Sequence, residues 1–278
     1  MKQLASFIIL FISISAFSQG PWTQEKGKLY TQFSFSTIPS YDELFGNPDY
    51  KTNGNITDNT FQFYGEYGYS DKTTLLLNLP FKIISFEQIV VCPLIPCENL
   101  QHSESSFGNI EIGLKHNFIN KNWLVSGQTS LEANTGAFDQ KSGIRTGYDA
   151  WTITPLLLTG RSFNKSYLQS FLGSNIRTNG YSSNFKFGGE YGYKVSKKIW
   201  LVGFLDIVKS FENGDIALEA SNLATGLYVN DQEYGGFGLK SIYEINNKFG
   251  LNAGFGGAFF GDNVAKAPAL TFGLYYKF

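Results

Sequence analysis

From Ala269 to Phe278 the chain reads ALTFGLYYKF, and its side chains alternate without a break. Leu270, Phe272, Leu274, Tyr276 and Phe278 fall on one side of an extended strand; Ala269, Thr271, Gly273, Tyr275 and Lys277 fall on the other. A period of two marks a strand whose faces meet different surroundings. One face is large and apolar, the other small or polar, and the chain stops on an aromatic ring. A soluble sheet would bury the apolar face under a second layer, whereas a membrane strand turns it to hydrocarbon and keeps the other face for a lumen.

Composition separates these two cases. The chain has 26 Phe, 16 Tyr and 30 Gly, a bias toward strands and turns. Charged residues make up 16%, well under the usual quarter of a soluble domain. Past residue 18, no apolar stretch reaches the ~20 residues that a membrane helix needs. Lipid accepts only helices and closed barrels, so the expected fold is all-β, a transmembrane antiparallel β-barrel. The N-terminus points the same way. Lys2, the apolar run Leu4–Phe17 and the Ala16-Phe17-Ser18 site read as a cleaved signal peptide over 1–18, leaving a barrel domain over 19–278. No cysteine lies near the cut, which excludes a lipoprotein.

An exported chain that ends on such a strand resembles bacterial outer-membrane barrels in their C-terminal signal. The resemblance implies that Phe272, Tyr276 and Phe278 form the assembly signal read by the barrel-assembly machinery. It also implies a Gram-negative outer membrane, with that machinery and the membrane lipids as partners. A net charge of −1 argues against nucleic acid.

About twelve strands can be read, over 27–38, 59–69, 73–84, 107–118, 123–133, 149–160, 166–177, 184–194, 199–209, 233–244, 249–260 and 268–278. Each has the length that a tilted strand needs to cross a bilayer. Tight turns at 70–72, 119–122, 161–165, 195–198 and 245–248 alternate with longer connections at 39–58, 85–106, 134–148, 178–183, 210–232 and 261–267. Short turns face the periplasm in such barrels, which puts both termini there. Tyr67, Tyr69, Phe118, Trp123, Tyr191, Tyr193, Tyr243, Phe249, Tyr276 and Phe278 share the outward parity beside those turns, as an interfacial girdle requires. Phe35, Phe61, Phe185 and Phe259 sketch a second ring.

Inward parity collects Glu66, Lys82, Glu111, Lys115, Glu132, Lys186, Glu190, Asp206, Lys240 and Glu244. A charge on the lipid face costs about 2–4 kcal/mol at midplane, so any barrel would segregate them. The set either lines a polar conduit or fills a narrow interior with ion pairs, and twelve strands lie between these limits. Its mixed signs predict weak ion selectivity. Cys92 and Cys97, the only cysteines, are expected to pair in an external loop. A metal site with His102 lacks a fourth ligand, and neither metal nor cofactor is expected. His102-Ser103-Glu104 is contiguous, whereas a triad converges from separate elements, and His116 lies at the wrong end for an outer-leaflet lipid hydrolase. The chain is not expected to be an enzyme. The motif Glu66-Tyr67-Gly68-Tyr69 recurs as Glu190 to Tyr193, and Gly113-Leu114-Lys115 as Gly238-Leu239-Lys240. Both read as repeated hairpin solutions, because the period is too long for a solenoid.

Gly65 to Lys72 through Leu79-Pro80, Phe107 to Lys115, and the opening Gly20-Pro21-Trp22-Thr23 resemble the outer-membrane transporters named after the meta-pathway of phenol degradation. Ser106 and Asn109 depart from the Gly-x-Gly-Asp common in that family. The resemblance implies uptake of small hydrophobic or aromatic compounds. Related transporters carry an N-terminal plug; Gln19 to Lys26 are expected to be too few to form one. The expected function is thus passive passage of small solutes. The alternative is a structural or surface-binding barrel with a filled lumen, and loop 39–58 is the segment expected either to constrict the mouth or to form a receptor surface.

Overall fold

The computed structural model describes residues 20–88 and 100–278. The expected signal peptide and the expected Cys92–Cys97 pairing lie outside them. In chain order the elements are β1 (Leu29–Phe45), β2 (Tyr50–Ser70), β3 (Thr73–Gln88), β4 (Leu100–Phe107), β5 (Ile110–Asn120), β6 (Leu124–Ala133), β7 (Phe138–Asp139), β8 (Ile144–Arg145), β9 (Thr152–Ser162), β10 (Ser166–Arg177), β11 (Asn184–Lys194), β12 (Ile199–Ser210), α1 (Ala220–Thr225), β13 (Glu233–Glu244), β14 (Phe249–Asp262), β15 (Val264–Ala265) and β16 (Ala269–Lys277). Neighbouring strands are antiparallel, and β1 pairs with both β2 and β16, so the sheet closes on itself. β4 and β5 lie end to end along β3 and act as one strand, which makes a closed barrel of twelve. Closure leaves no unpaired edge among the spanning strands.

Alternation sets the two faces. Leu270, Phe272, Leu274 and Phe278 are exposed outside, while Ala269 and Tyr275 are buried on the lumen side. Tyr67, Tyr69, Phe118, Trp123, Tyr191, Tyr193, Tyr243 and Phe249 form an exposed belt beside the tight turns. Tyr276 packs between Phe249 and Phe278, with ring centroids 4.8 and 4.4 Å away. An apolar belt of this extent suits hydrocarbon rather than water.

Three expectations are corrected here. The segment 39–58 is no loop: the β1–β2 ladder continues past Ile38 through two register shifts to Leu44 and Tyr50. Ile38, Tyr41, Leu44 and Ile56 carry the apolar pattern onward into a buried cluster with Ile84, Phe86, Ile144 and Leu227. Second, the expected strand 107–118 breaks at Gly108-Asn109, where β3 changes partner from β5 to β4. Pro80 causes the break, because proline has no N–H to give the ladder. Its carbonyl still accepts from Gly108 N at 2.8 Å. His102-Ser103-Glu104 therefore lies in strand β4, not in a loop. Third, the mouth at the long-connection end is not lined by 39–58 alone: Thr146–Tyr148 of 134–148, which carries β7 and β8, and Gly226–Tyr228 of 211–232, which carries α1, line the cavity there beside Tyr41 and Leu44. Asn109 ties the first of these down, its Nδ2 donating to Tyr148 O at 3.1 Å.

Candidate functional site: the barrel lumen

The ten inward charges divide between two cavities. Glu66, Lys115, Glu190, Lys240 and Glu244 line a cavity of about 320 Å³ in the half nearer the tight turns. Lys82, Glu111, Glu132, Lys186 and Asp206 line another of about 460 Å³ nearer the mouth. Ser36, Gln62, Glu190 and Phe204 belong to both walls, so the cavities meet at a waist.

Several of these charges are paired. Lys115 Nζ lies 2.9 Å from Glu66, Lys240 Nζ 3.1 Å from Glu190, and Lys82 Nζ 2.7 Å from Asp58. Lys194, which the inward set omitted, holds Glu244 at 2.6 Å. Buried pairs of this kind add little net stability, but each partner makes the other tolerable. Glu111 and Glu132 instead stand directly opposite each other across β5 and β6. Asn78 Nδ2 donates to Glu111 at 3.3 Å.

Parity alone also placed aromatic rings inside, a signal that a reading confined to charges passes over. Tyr30 lies between Tyr275, stacked at 5.8 Å, and Tyr64, edge-on at 6.5 Å. Across the lumen Tyr167 lies between Trp22 at 5.8 Å and Trp200 at 5.6 Å. Carboxylates hold the polar tips: Tyr64 OH donates to Glu66 at 2.7 Å, Tyr167 OH to Glu190 at 2.6 Å and Trp200 Nε1 to Glu244 at 3.1 Å. With their tips tied to the wall, the rings offer faces and edges to the cavity.

The residues before β1, expected to be too few to form a plug, nonetheless enter the lumen. Gly20 and Pro21 are buried inside the barrel. Lys115 Nζ donates to Gly20 O at 3.2 Å and Ser126 Oγ to Pro21 O at 2.6 Å. Gln24 Nε2 donates to Glu66 at 2.7 Å. A short segment suffices because the barrel is narrow and polar side chains reach in to meet its backbone.

At the mouth, Tyr228 and Tyr148 roof the larger cavity, their rings edge to face at 5.2 Å. Tyr228 stands in the left-handed region at φ 52°, a strain the surrounding packing sustains. The cover is pinned by Asn222, fully buried, which accepts from Arg145 Nε at 2.7 Å and donates to Leu227 O at 2.8 Å. Arg177, also absent from the inward set, lies 4.0 Å over the Tyr148 ring. His116 bonds Thr73 at 2.9 Å and packs on Phe118. Among the described residues no cluster of His, Cys, Asp and Glu could hold a metal ion.

A closed antiparallel barrel with aromatic belts outside and a polar, aromatic lumen has the fold of outer-membrane channels. The crystal structure of the COG4313 outer membrane channel from Pseudomonas putida F1 is similar over 93% of this chain and 98% of that one, at 15% identity and a TM-score of 0.69. The NanC porin is similar over 89% of this chain and 98% of its own, at 5% identity and a TM-score of 0.51. The translocator domain of the autotransporter NalP from Neisseria meningitidis covers 92% of this chain and 90% of its own, at 12% identity and a TM-score of 0.54. Neither a protein-family model nor a curated protein sequence matches the chain.

Proposed function

We propose that the chain is an outer-membrane barrel giving passive passage to small solutes and favouring hydrophobic and aromatic ones. The observation that carries this is the pair of ring arrays, Tyr64–Tyr30–Tyr275 and Trp22–Tyr167–Trp200, in one lumen cavity of about 320 Å³. Wall-tethered rings accept a planar apolar solute by stacking at small entropic cost. The likeness to channel and porin folds supports the reading, as does the resemblance to the phenol meta-pathway transporters. The tight turns, and with them both termini, belong in the periplasm. Partners are then the outer-membrane lipids, the assembly machinery and the solutes themselves.

A filled, non-conducting barrel is the competing reading, favoured by the Gly20–Lys26 segment at one end and the Tyr148–Tyr228 roof at the other. Planar bilayers separate the two. Purified barrel should show small conductance steps with weak ion selectivity, because Glu66, Glu190 and Asp58 are offset by Lys115, Lys240 and Lys82 and no single-sign ring forms. Shortening 212–230 should raise conductance, since Gly226, Leu227 and Tyr228 of that segment line the mouth-side cavity. Liposomes should take up a small aromatic such as phenol faster with the barrel than without. Electrical silence of the shortened variant together with no uptake would retire the transport reading.

A further inference from the structure

The two sequence echoes are more than repeated hairpins. FQFYGEYGY at 61–69 on β2 and FKFGGEYGY at 185–193 on β11 lie six strands apart around the twelve. Gly113-Leu114-Lys115 on β5 and Gly238-Leu239-Lys240 on β13 are likewise six apart. Their registers agree. Glu66 faces Gly113 across Leu76 of β3, and Glu190 faces Gly238 across Phe204 of β12. Lys115 aligns with Gly68 through Thr74 as Lys240 aligns with Gly192 through Val202. In each copy the lysine bonds the glutamate, and a tyrosine hydroxyl bonds the same carboxylate. Each copy thus presents a Glu–Lys pair to the lumen with a tyrosine hydroxyl on the carboxylate, Tyr64 from the same strand in the first and Tyr167 from the neighbouring β10 in the second.

Both sites meet the N-terminal segment, but differently: at the second, Trp22 packs on Tyr167 at 5.8 Å, while only at the first do the ammonium and carboxylate themselves bond the segment. There Lys115 donates to the carbonyl of Gly20 at 3.2 Å while Glu66 accepts an amide N–H of Gln24 at 2.7 Å. Gly68 permits the approach, since a Cβ there would stand 2.0 Å from Glu25 O. The protein thus shows what this arrangement holds: a carbonyl oxygen on the ammonium and an N–H on the carboxylate. Glu190 and Lys240 line the 320 Å³ cavity beside Tyr167 and Trp200. An ammonium has three donors and a carboxylate about four acceptor positions, so their mutual bond and that from Tyr167 leave capacity for a further partner.

We propose that Glu190 and Lys240 form a binding site for the amide group of an aromatic or peptide-like solute, equivalent to the site that Glu66 and Lys115 provide for the chain's own N-terminal segment. The proposal deepens the solute-passage reading and rests on its lumen path. It is read by binding, so a barrel that binds but does not conduct leaves it standing.

The test titrates full-length mature protein in detergent with benzamide and with methyl benzoate, of similar size but without an N–H, following tryptophan fluorescence and heat. Benzamide should bind about tenfold more tightly, because it alone donates an N–H to the Glu190 carboxylate, and a hydrogen bond to a charged group is stronger than one between neutral groups. The double variant Glu190→Gln/Lys240→Met, which leaves no lone buried charge, should abolish that preference, and Lys240→Arg should keep it. Equal affinity of wild type for the two ligands would overturn the proposal, and so would a preference that survives the double variant. If that variant does not fold, the wild-type comparison decides alone.

Discussion

Lys115 shows how one lumen residue can serve both the wall and the N-terminal segment. It is 2% exposed, bonds Glu66 at 2.9 Å and Gly20 O at 3.2 Å, and thus couples β5, β2 and the N-terminal segment. Lys115→Met should leave the Glu66 charge buried beside an apolar side chain, at a cost of about 3–5 kcal/mol. Lys115→Met with Glu66→Gln should recover most of it. The readout is the temperature at which folded barrel loses its compact electrophoretic mobility, because such unfolding is kinetically controlled. A single variant as heat-stable as wild type would show that the pair contributes nothing. At this scale the sequence was legible wherever parity speaks: a glutamate or lysine inside a barrel strand has only the lumen to face. Asp58 and Lys194 share the inward parity of Glu66 and Glu190, but the expected strand began at 59 and the inward set left both out.

At the scale of elements, the β1–β2 hairpin tip is closed on β15 by Lys266, which lies 2.6 Å from Asp49 and 2.9 Å from Glu43. The hydrogen bond from Lys266 holds the Asp49 carboxyl below its ordinary 3.8. A depressed carboxylate contributes stability above its unfolded value and loses it as pH falls through the folded one. The tip should therefore stay latched from neutral pH down through mildly acidic conditions and loosen only in stronger acid. Exchange of the Lys266 and Asn263 amides, which bond Glu43 O and Phe45 O, reports this directly. Loosening already near pH 6 would assign the latch to another group. The strand cores were legible from alternation, but their ends were not. Segment 39–58 is rich in Asp, Asn and Gly and reads as loop, yet it continues as strand because Tyr41, Leu44 and Ile56 find apolar partners on β3 and in 211–232. Those partners are distant in sequence, and no local pattern announces them.

For the whole molecule, closure depends on β16 pairing with both β14 and β1. Phe278 is 57% exposed at the belt, and its N–H bonds Leu29 O at 2.8 Å, next to the first pair of that seam. We propose that it acts with Phe272 and Tyr276 as the assembly signal. Phe278→Ala should then lower the yield of heat-modifiable barrel in outer membranes severalfold, whereas Lys277→Ala, on the lumen face, should change it little. Equal yields for wild type and Phe278→Ala would remove the signal from this residue. The sequence by itself determined the all-β class, the strand number and the two faces, because a closed sheet in lipid enforces period-two alternation on every strand. Only the tertiary structure decided what the lumen contains. The aromatic arrays, the buried Gly20 and Pro21, the Asn222-pinned roof and the pairing of Glu66 with Lys115 and Glu190 with Lys240 all join parts of the chain dozens of residues apart. Such contacts follow from barrel circumference and register, quantities that no single strand encodes.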